Sequence, residues 1–274
     1  DGPGAGLGTP VVTWQDIRGL ANCELWNGNL LTAPHRDWPT PDAYPAIAVP
    51  ERPICYTREP WLVTPDMAAR LRGGVLVSSF YDPPLTQARA DVVLGAGIRH
   101  WFAVQVHAVH AGVTPMPLGV DRRDVGKMAE IPRMPWAQRD ILLYVNMSPR
   151  FGHRRKLLAQ FAHEQTWARI CGGLSMREFF ADVGRSKFVL SPPGRAWDCY
   201  RTYEALAMGA IPIVIRHEPV SRVVNSLPVL MVDDWREVTR ERLGAEYPRF
   251  ANGHWDMSRL TQAYWDAQIT GAFA

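Results

Sequence analysis

The chain has 274 residues, 47% of them apolar and 21% charged, with a formal net charge of +3. That length holds one large or two modest α/β domains with ample material for a core, and the proportions are those of an ordinary globular protein. The mild charge and the lack of a basic–aromatic stripe give no reason to expect nucleic acid, and no apolar run approaches the roughly 18 residues of a membrane helix, so no membrane-spanning segment is expected.

Residues 1–9 are Gly-rich and read as disordered, and a weakly patterned first element spans residues 13–22. Prolines at 34, 39, 41, 45, 50, 53 and 60 keep residues 27–60 extended, with at most short strands such as residues 46–49. Thr64 as N-cap, Pro65 in the first helical position and Gly73 at the close predict a short helix over residues 65–72. Residues 74–79 are the clearest early strand, running into a turn at Tyr81-Asp82-Pro83-Pro84. A helix over residues 86–95 and a strand over residues 101–106 follow, then His107, His110 and a short extended piece over residues 113–119. Alternating strand and helix is the pattern of a small Rossmann-like domain.

Residues 121–139 are charged, hold Pro132 and Pro135, and read as a linker. The strand at residues 141–146 opens a second domain. A basic turn with Arg154, Arg155 and Lys156 then leads into a helix reaching about Glu164. Cations at a helix start are opposed by its dipole, so this cluster asks for an external anion; a solvated basic face is the alternative. A strand at residues 167–170 follows, and Ser175 with Glu178 forms a capping box for a helix to Gly184. Residues 228–232 are a further strand, Asp233 or Asp234 caps another helix, and residues 256–271 are a last amphipathic helix. The boundaries are a domain over residues 10–125, a second over residues 136–255, and a returning helix within residues 256–274.

The stretch that organises the second domain is residues 186–215. An apolar strand ends in a Pro-Pro-Gly-Arg turn, a helix starts at about Trp197 and stops at Gly209, and a second apolar strand completes a βαβ unit. In open α/β sheets the ligand sits beyond the carboxyl ends of the strands, against helix N-termini. Ser191, Pro193, Gly194, Arg195, Asp198, Arg201 and Glu204 furnish that place, and an anionic ligand fits it.

Eleven Trp and 23 Pro are high, as where loops and aromatic platforms shape a carbohydrate site. Cys23, Cys55, Cys171 and Cys199 show neither metal-ligand spacing nor a disulfide-dense pattern and read as free thiols. No signal peptide is visible. The chain opens on Asp1 rather than Met, so a trimmed upstream segment is expected: a soluble domain, either cytoplasmic or the lumenal part of a trimmed membrane-anchored protein.

Residues 140–243 resemble the exostosin-like glycosyltransferases of the GT-B class. The motifs are LLYVNMS, RRK, LSMREFFADVGRSKFVLSPPG, DCYRTYEALAMGAIPIV and LPVLMVDDWREVT; upstream, VTPMPLGVD and the YDPPL turn are also similar. The resemblance implies an α/β fold of two Rossmann-like domains facing a cleft. The C-terminal domain would hold a nucleotide sugar and the N-terminal one a glycan acceptor, with the last helix packing back on the N-terminal domain. It implies no cofactor and no metal, the nucleotide sugar being a co-substrate. The chain departs from the family at Arg195-Ala196-Trp197, where a smaller Gly-containing loop is common.

Transfer from such a donor expels a nucleoside diphosphate, so the site must stabilise charge growing on the β-phosphate. A helix N-terminus does so, Gly194 permits close backbone approach, and Arg195 or Arg201 can fork onto phosphate oxygens, with Arg155 of the basic cluster as a further donor-binding residue. Glu204, three residues after Arg201, takes the acidic position that in the resemblance binds the ribose hydroxyls; the alternative is a structural Arg201–Glu204 pair. No Asp-X-Asp is present, and Asp233-Asp234 reads as a helix cap. An inverting transfer needs a base: Asp82 after the strand at residues 74–79, or His107 or His110 after the next one. Asp82 is equally placed for an Asx-turn before Pro83. The base of the donor, UDP or GDP, stays open, and so does a non-catalytic nucleotide-sugar-binding protein on the same fold.

Overall fold

The computed structural model describes residues 13, 16, 18, 20–26, 29–32, 50–57, 63–79, 84–150, 152–161 and 166–274, and the expected strand at residues 46–49 lies outside them. The chain divides into two units, one made of Val12–Leu118 with Ser258–Ala274, the other containing Gly119–Met257. Each has its own sheet.

The first unit carries β1 (Cys23–Trp26), β2 (Asn29–Thr32), β3 (Ile54–Thr57), β4 (Val75–Ser78), β5 (His100–Ala103) and β6 (Val113–Pro115). They lie in the order β2-β1-β3-β4-β5-β6, antiparallel only between β1 and β2. Helices α1 (Pro65–Arg70) and α2 (Gln87–Gly95) connect β3 to β4 and β4 to β5, each opened by a threonine. Thr64 accepts from the Met67 amide and Thr86 from the Arg89 amide. Leu71, Leu76, Ala90, Val93 and Trp101 form the core between helices and sheet. β3 falls inside the proline-rich stretch; Pro50 and Pro53 precede it, so no ladder amide is lost, and the Pro53 carbonyl accepts from Val75 N at 2.8 Å.

The second unit begins with a helix where the sequence reads as a linker. α3 (Arg122–Ala129) is capped by Asp121, whose carboxylate accepts from the Arg123 amide at 2.9 Å. Met128 is its buried residue, and exposed Lys127 pairs with the largely covered Asp124. Charge and the two later prolines mask this short helix in the sequence. The sheet that follows comprises β7 (Ile141–Asn146), β8 (Ala168–Cys171), β9 (Ser186–Leu190), β10 (Ile211–Ile215) and β11 (Leu230–Val232), with α4 (Gly152–Phe161), α5 (Met176–Arg185), α6 (Tyr200–Ala207), α7 (Glu218–Val224) and α8 (Arg240–Ala251) between and after the strands. All five strands are parallel, in the order β11-β10-β9-β7-β8. The chain runs from β7 outward to β8, then crosses back to β9 on the other side of β7. The reversal places a switch point between β7 and β9, where open α/β sheets receive ligands.

Why the chain stops and turns where it does is visible at α6. Gly209 has φ of 73°, the left-handed conformation a C′ residue needs. Its amide donates to Leu206 O at 2.9 Å and the Ala210 amide to Ala205 O at 2.8 Å, a Schellman closure that delivers the chain into β10. The helix starts at Tyr200, three residues later than the sequence suggests, because residues 192–198 fold into a loop. Asp234 caps only a 3-10 turn, Trp235–Glu237, and Thr239 caps α8 separately. Buried Arg139 donates to the carbonyls of Met134, Ser186 and Met208, fastening the sheet's amino end to the ends of α5 and α6. Burial lowers its pKa to about 10, so it keeps its proton at neutral pH.

The last helix, α9 (Gln262–Gly271), is shorter than the sequence suggests; a 3-10 turn, Ser258–Leu260, takes its first residues. It belongs to the first unit, where Arg99 donates to Ala274 O at 2.6 Å and Arg52 lies over the Phe273 ring.

Candidate functional site

The carboxyl ends of β7 and β9 are tied together by one buried arginine. Arg154, in the first turn of α4, donates through Nε to Pro193 O at 3.0 Å and through Nη2 to Pro192 O at 3.2 Å. His153 Nε2 donates to the same Pro193 carbonyl at 2.8 Å. The cluster of cations at this helix start therefore spends Arg154 on backbone carbonyls. The loop it holds is tight: Gly194 N donates to Ala196 O at 3.0 Å and approaches Cys199 Sγ at 3.2 Å. A Cβ on Gly194 would stand 3.2 Å from Arg154 Nη2, so a larger residue would press on the guanidinium. Burial raises the Cys199 pKa, keeping the thiol neutral as a packing group inside the loop.

Helix α6 emerges from this loop without a side-chain cap. Its first-turn amides carry the partial positive charge of a helix start, and no carboxylate or hydroxyl of the N-cap residue, Cys199, offsets it. Arg201 stands in this turn with a buried Nε that has no hydrogen-bond partner among the described residues. It is near enough to Arg154 to depress that guanidinium's pKa further after burial has done so. Two neighbouring cations at an uncapped helix start make a place for an anion.

Glu204 lies one turn along. It is 8% exposed, and burial pushes its pKa up to about 7. Arg201 pulls the value down, while Asp124 and Asp121 at the start of α3 push it up. The start of α3 thus adds to the electrostatics around Glu204, after burial and Arg201. At neutral pH the carboxyl is poised between a hydrogen-bond acceptor and a donor, able to meet a hydroxyl-bearing ligand in either role.

Of the other residues the sequence assigns to a donor, Ser191 and Asp198 are satisfied within the protein. Ser191 Oγ shares a hydrogen bond with Thr202 Oγ1 at 2.9 Å. Asp198 accepts from Tyr203 Oη at 2.8 Å and from the Cys199 amide at 3.0 Å. Pro193 takes part through the carbonyl held by α4, and Arg195 is exposed on the loop. Arg155 lies in α4, its side chain outside the described residues. Asp82 lies outside them as well. His107 is exposed, its amide donating to Leu85 O at 2.8 Å, and His110 is half-buried. Among the described residues no group of three or more His, Cys, Asp or Glu side chains could hold a metal, and no helix is long and apolar enough to cross a membrane.

Sequence reading missed two features. Arg154 was legible as a cation but not as the tie on residues 192–193, because its partners are carbonyls some forty positions away. Trp197 was legible only as a departure in the loop; its ring stacks on His217 with centroids 4.1 Å apart and planes 4° from parallel.

The family model of the RXYLT1 C-terminal domain matches residues 153–241, from the start of α4 to the start of α8. That family is xylosyltransferase-related, and the match fits a glycosyltransferase. The matched segment includes Arg154, the loop, Arg201 and Glu204. No curated protein matches the chain.

Proposed function

We propose that the chain is an exostosin-like glycosyltransferase of the GT-B class. It moves a sugar from a UDP- or GDP-linked donor to a hydroxyl of a glycan acceptor, with inversion and without a metal. The observation that carries the reading is the buried Arg201 Nε, without a hydrogen-bond partner among the described residues, beside the buried carboxyl of Glu204, at an uncapped helix start on the switch point of a parallel sheet. Arg201 and the α6 amides take the diphosphate and Glu204 the ribose hydroxyls. Arg154 acts by holding the loop. The xylosyltransferase-related family match makes a UDP-linked pentose the first donor to try.

In the reaction the acceptor oxygen attacks the anomeric carbon and the bond from that carbon to the β-phosphate oxygen breaks. The acceptor's proton goes to a base, and the nucleoside diphosphate leaves with the bonding pair. The charge arriving on the β-phosphate is met by Arg201 and the helix start, charges already in place and needing no reorganisation. The base comes from the first unit: Asp82 is the first candidate and His107 the second. Each follows, in the chain, one of the parallel strands of the first unit's sheet.

Calorimetric titration with nucleoside diphosphates tests the donor assignment. Arg201→Ala and Glu204→Ala should each weaken binding by about 1.5–3 kcal/mol, the range of charge-assisted hydrogen bonds, with circular dichroism unchanged. Equal affinity in folded variants removes both residues from the site.

A further inference from the structure

We propose that Trp197, seated on His217, is the stacking platform for the nucleobase of the donor; this deepens the donor reading above and rests on it. Trp197 is 42% exposed, while Val92 and Val109, exposed in the first unit, are aliphatic. Its exposure is not looseness. The indole lies parallel to the His217 imidazole at 4.1 Å, so one face is covered and the ring plane is fixed. Both residues stand at the ligand end of the sheet. Trp197 is in the loop after β9, and His217 is the N-cap of α7 after β10; these strands are neighbours, with Leu190 opposite Ile213.

A fixed aromatic plane at a sheet's ligand end is suited to a flat, polar-edged ring. Stacking offers it a π-face without demanding particular hydrogen bonds, at little cost in side-chain entropy. The chain relation places such a ring with the anion site. Two residues after Trp197 comes Cys199, which packs against Gly194 and forms the N-cap of α6; Arg201 follows in the first turn. A ligand with its phosphates at α6 and an aromatic ring attached through a ribose is a nucleoside diphosphate. The indole stands where the resemblance expects a smaller loop, so the platform is a property of this chain.

The test is calorimetry on the full chain with UDP, GDP and inorganic pyrophosphate. Trp197→Ala should weaken the preferred nucleoside diphosphate about 5- to 150-fold, the range for one base on one aromatic ring, and leave pyrophosphate affinity unchanged. Trp197→Phe should recover most of the loss, and His217→Ala should show a smaller one. Unchanged nucleotide affinity in Trp197→Ala overturns the proposal, as does an equal loss for nucleotide and pyrophosphate. Binding of none of the three probes by the wild-type chain removes the donor reading itself, a failure distinct from a Trp197 variant that binds normally.

Discussion

At the scale of the residue, Glu204 carries the sharpest consequence. An acid whose folded pKa exceeds its unfolded value holds its proton more tightly when folded, so stability falls as pH rises between the two values. Here the window runs from the ordinary glutamate value near 4.5 to about 7, with the loss complete above it. Glu204→Gln removes the buried charge. Its stability relative to wild type should therefore improve on going from pH 5 to pH 8 by on the order of 3 kcal/mol, read by urea denaturation at each pH. A pH-independent difference would mean that the carboxyl ionises without penalty. Donor binding should move the opposite way: the ionised carboxylate accepts from ribose hydroxyls more strongly, so affinity rises with pH through about 7 in wild type and stays flat in Glu204→Gln. A residue that lowers stability in the state that binds best is the pattern of a site rather than of a core.

At the scale of the element, the site is a loop held from outside itself. Arg154 forks onto two successive carbonyls, and Gly194 closes against it. Arg154→Lys keeps the charge but not the fork. The lost charge-assisted bond is worth about 1.5–3 kcal/mol, so amides of residues 194–199 should exchange about 10- to 150-fold faster with deuterium, and donor affinity should fall. Unchanged exchange there would show that the loop holds itself. The apolar runs that became β7, β9 and β10 were legible because buried parallel strands read as continuous hydrophobic stretches. The glycine closing α6 was legible because only a left-handed residue fits its place. By contrast α3 was lost behind its charges, and α7 was lost because seven residues give too little periodicity. The arginine fork and the Trp197–His217 stack join residues about 40 and 20 positions apart. No local pattern encodes them.

At the scale of the molecule, every described strand and helix of the second unit comes from Gly119–Met257, whereas the first needs Ser258–Ala274 to complete it. A fragment of residues 119–257 should therefore fold cooperatively and bind nucleoside diphosphate with the same dependence on Arg201 as the full chain, but transfer no sugar. Binding lost in a folded fragment would assign part of the donor site to the other unit. Turnover tests the account most directly. Given a panel of UDP- and GDP-linked sugars with glycan acceptors, the wild-type chain should hydrolyse or transfer at least one donor, with inversion and in the presence of EDTA. Arg201→Ala should fall with its lost binding, and Asp82→Asn should lose about 10²- to 10⁴-fold in rate with donor affinity kept. If Asp82→Asn works normally and His107→Ala is dead, the base is the histidine. Tight donor binding with neither hydrolysis nor transfer from any member of the panel would contradict the account and leave a protein that binds nucleotide sugars without acting on them.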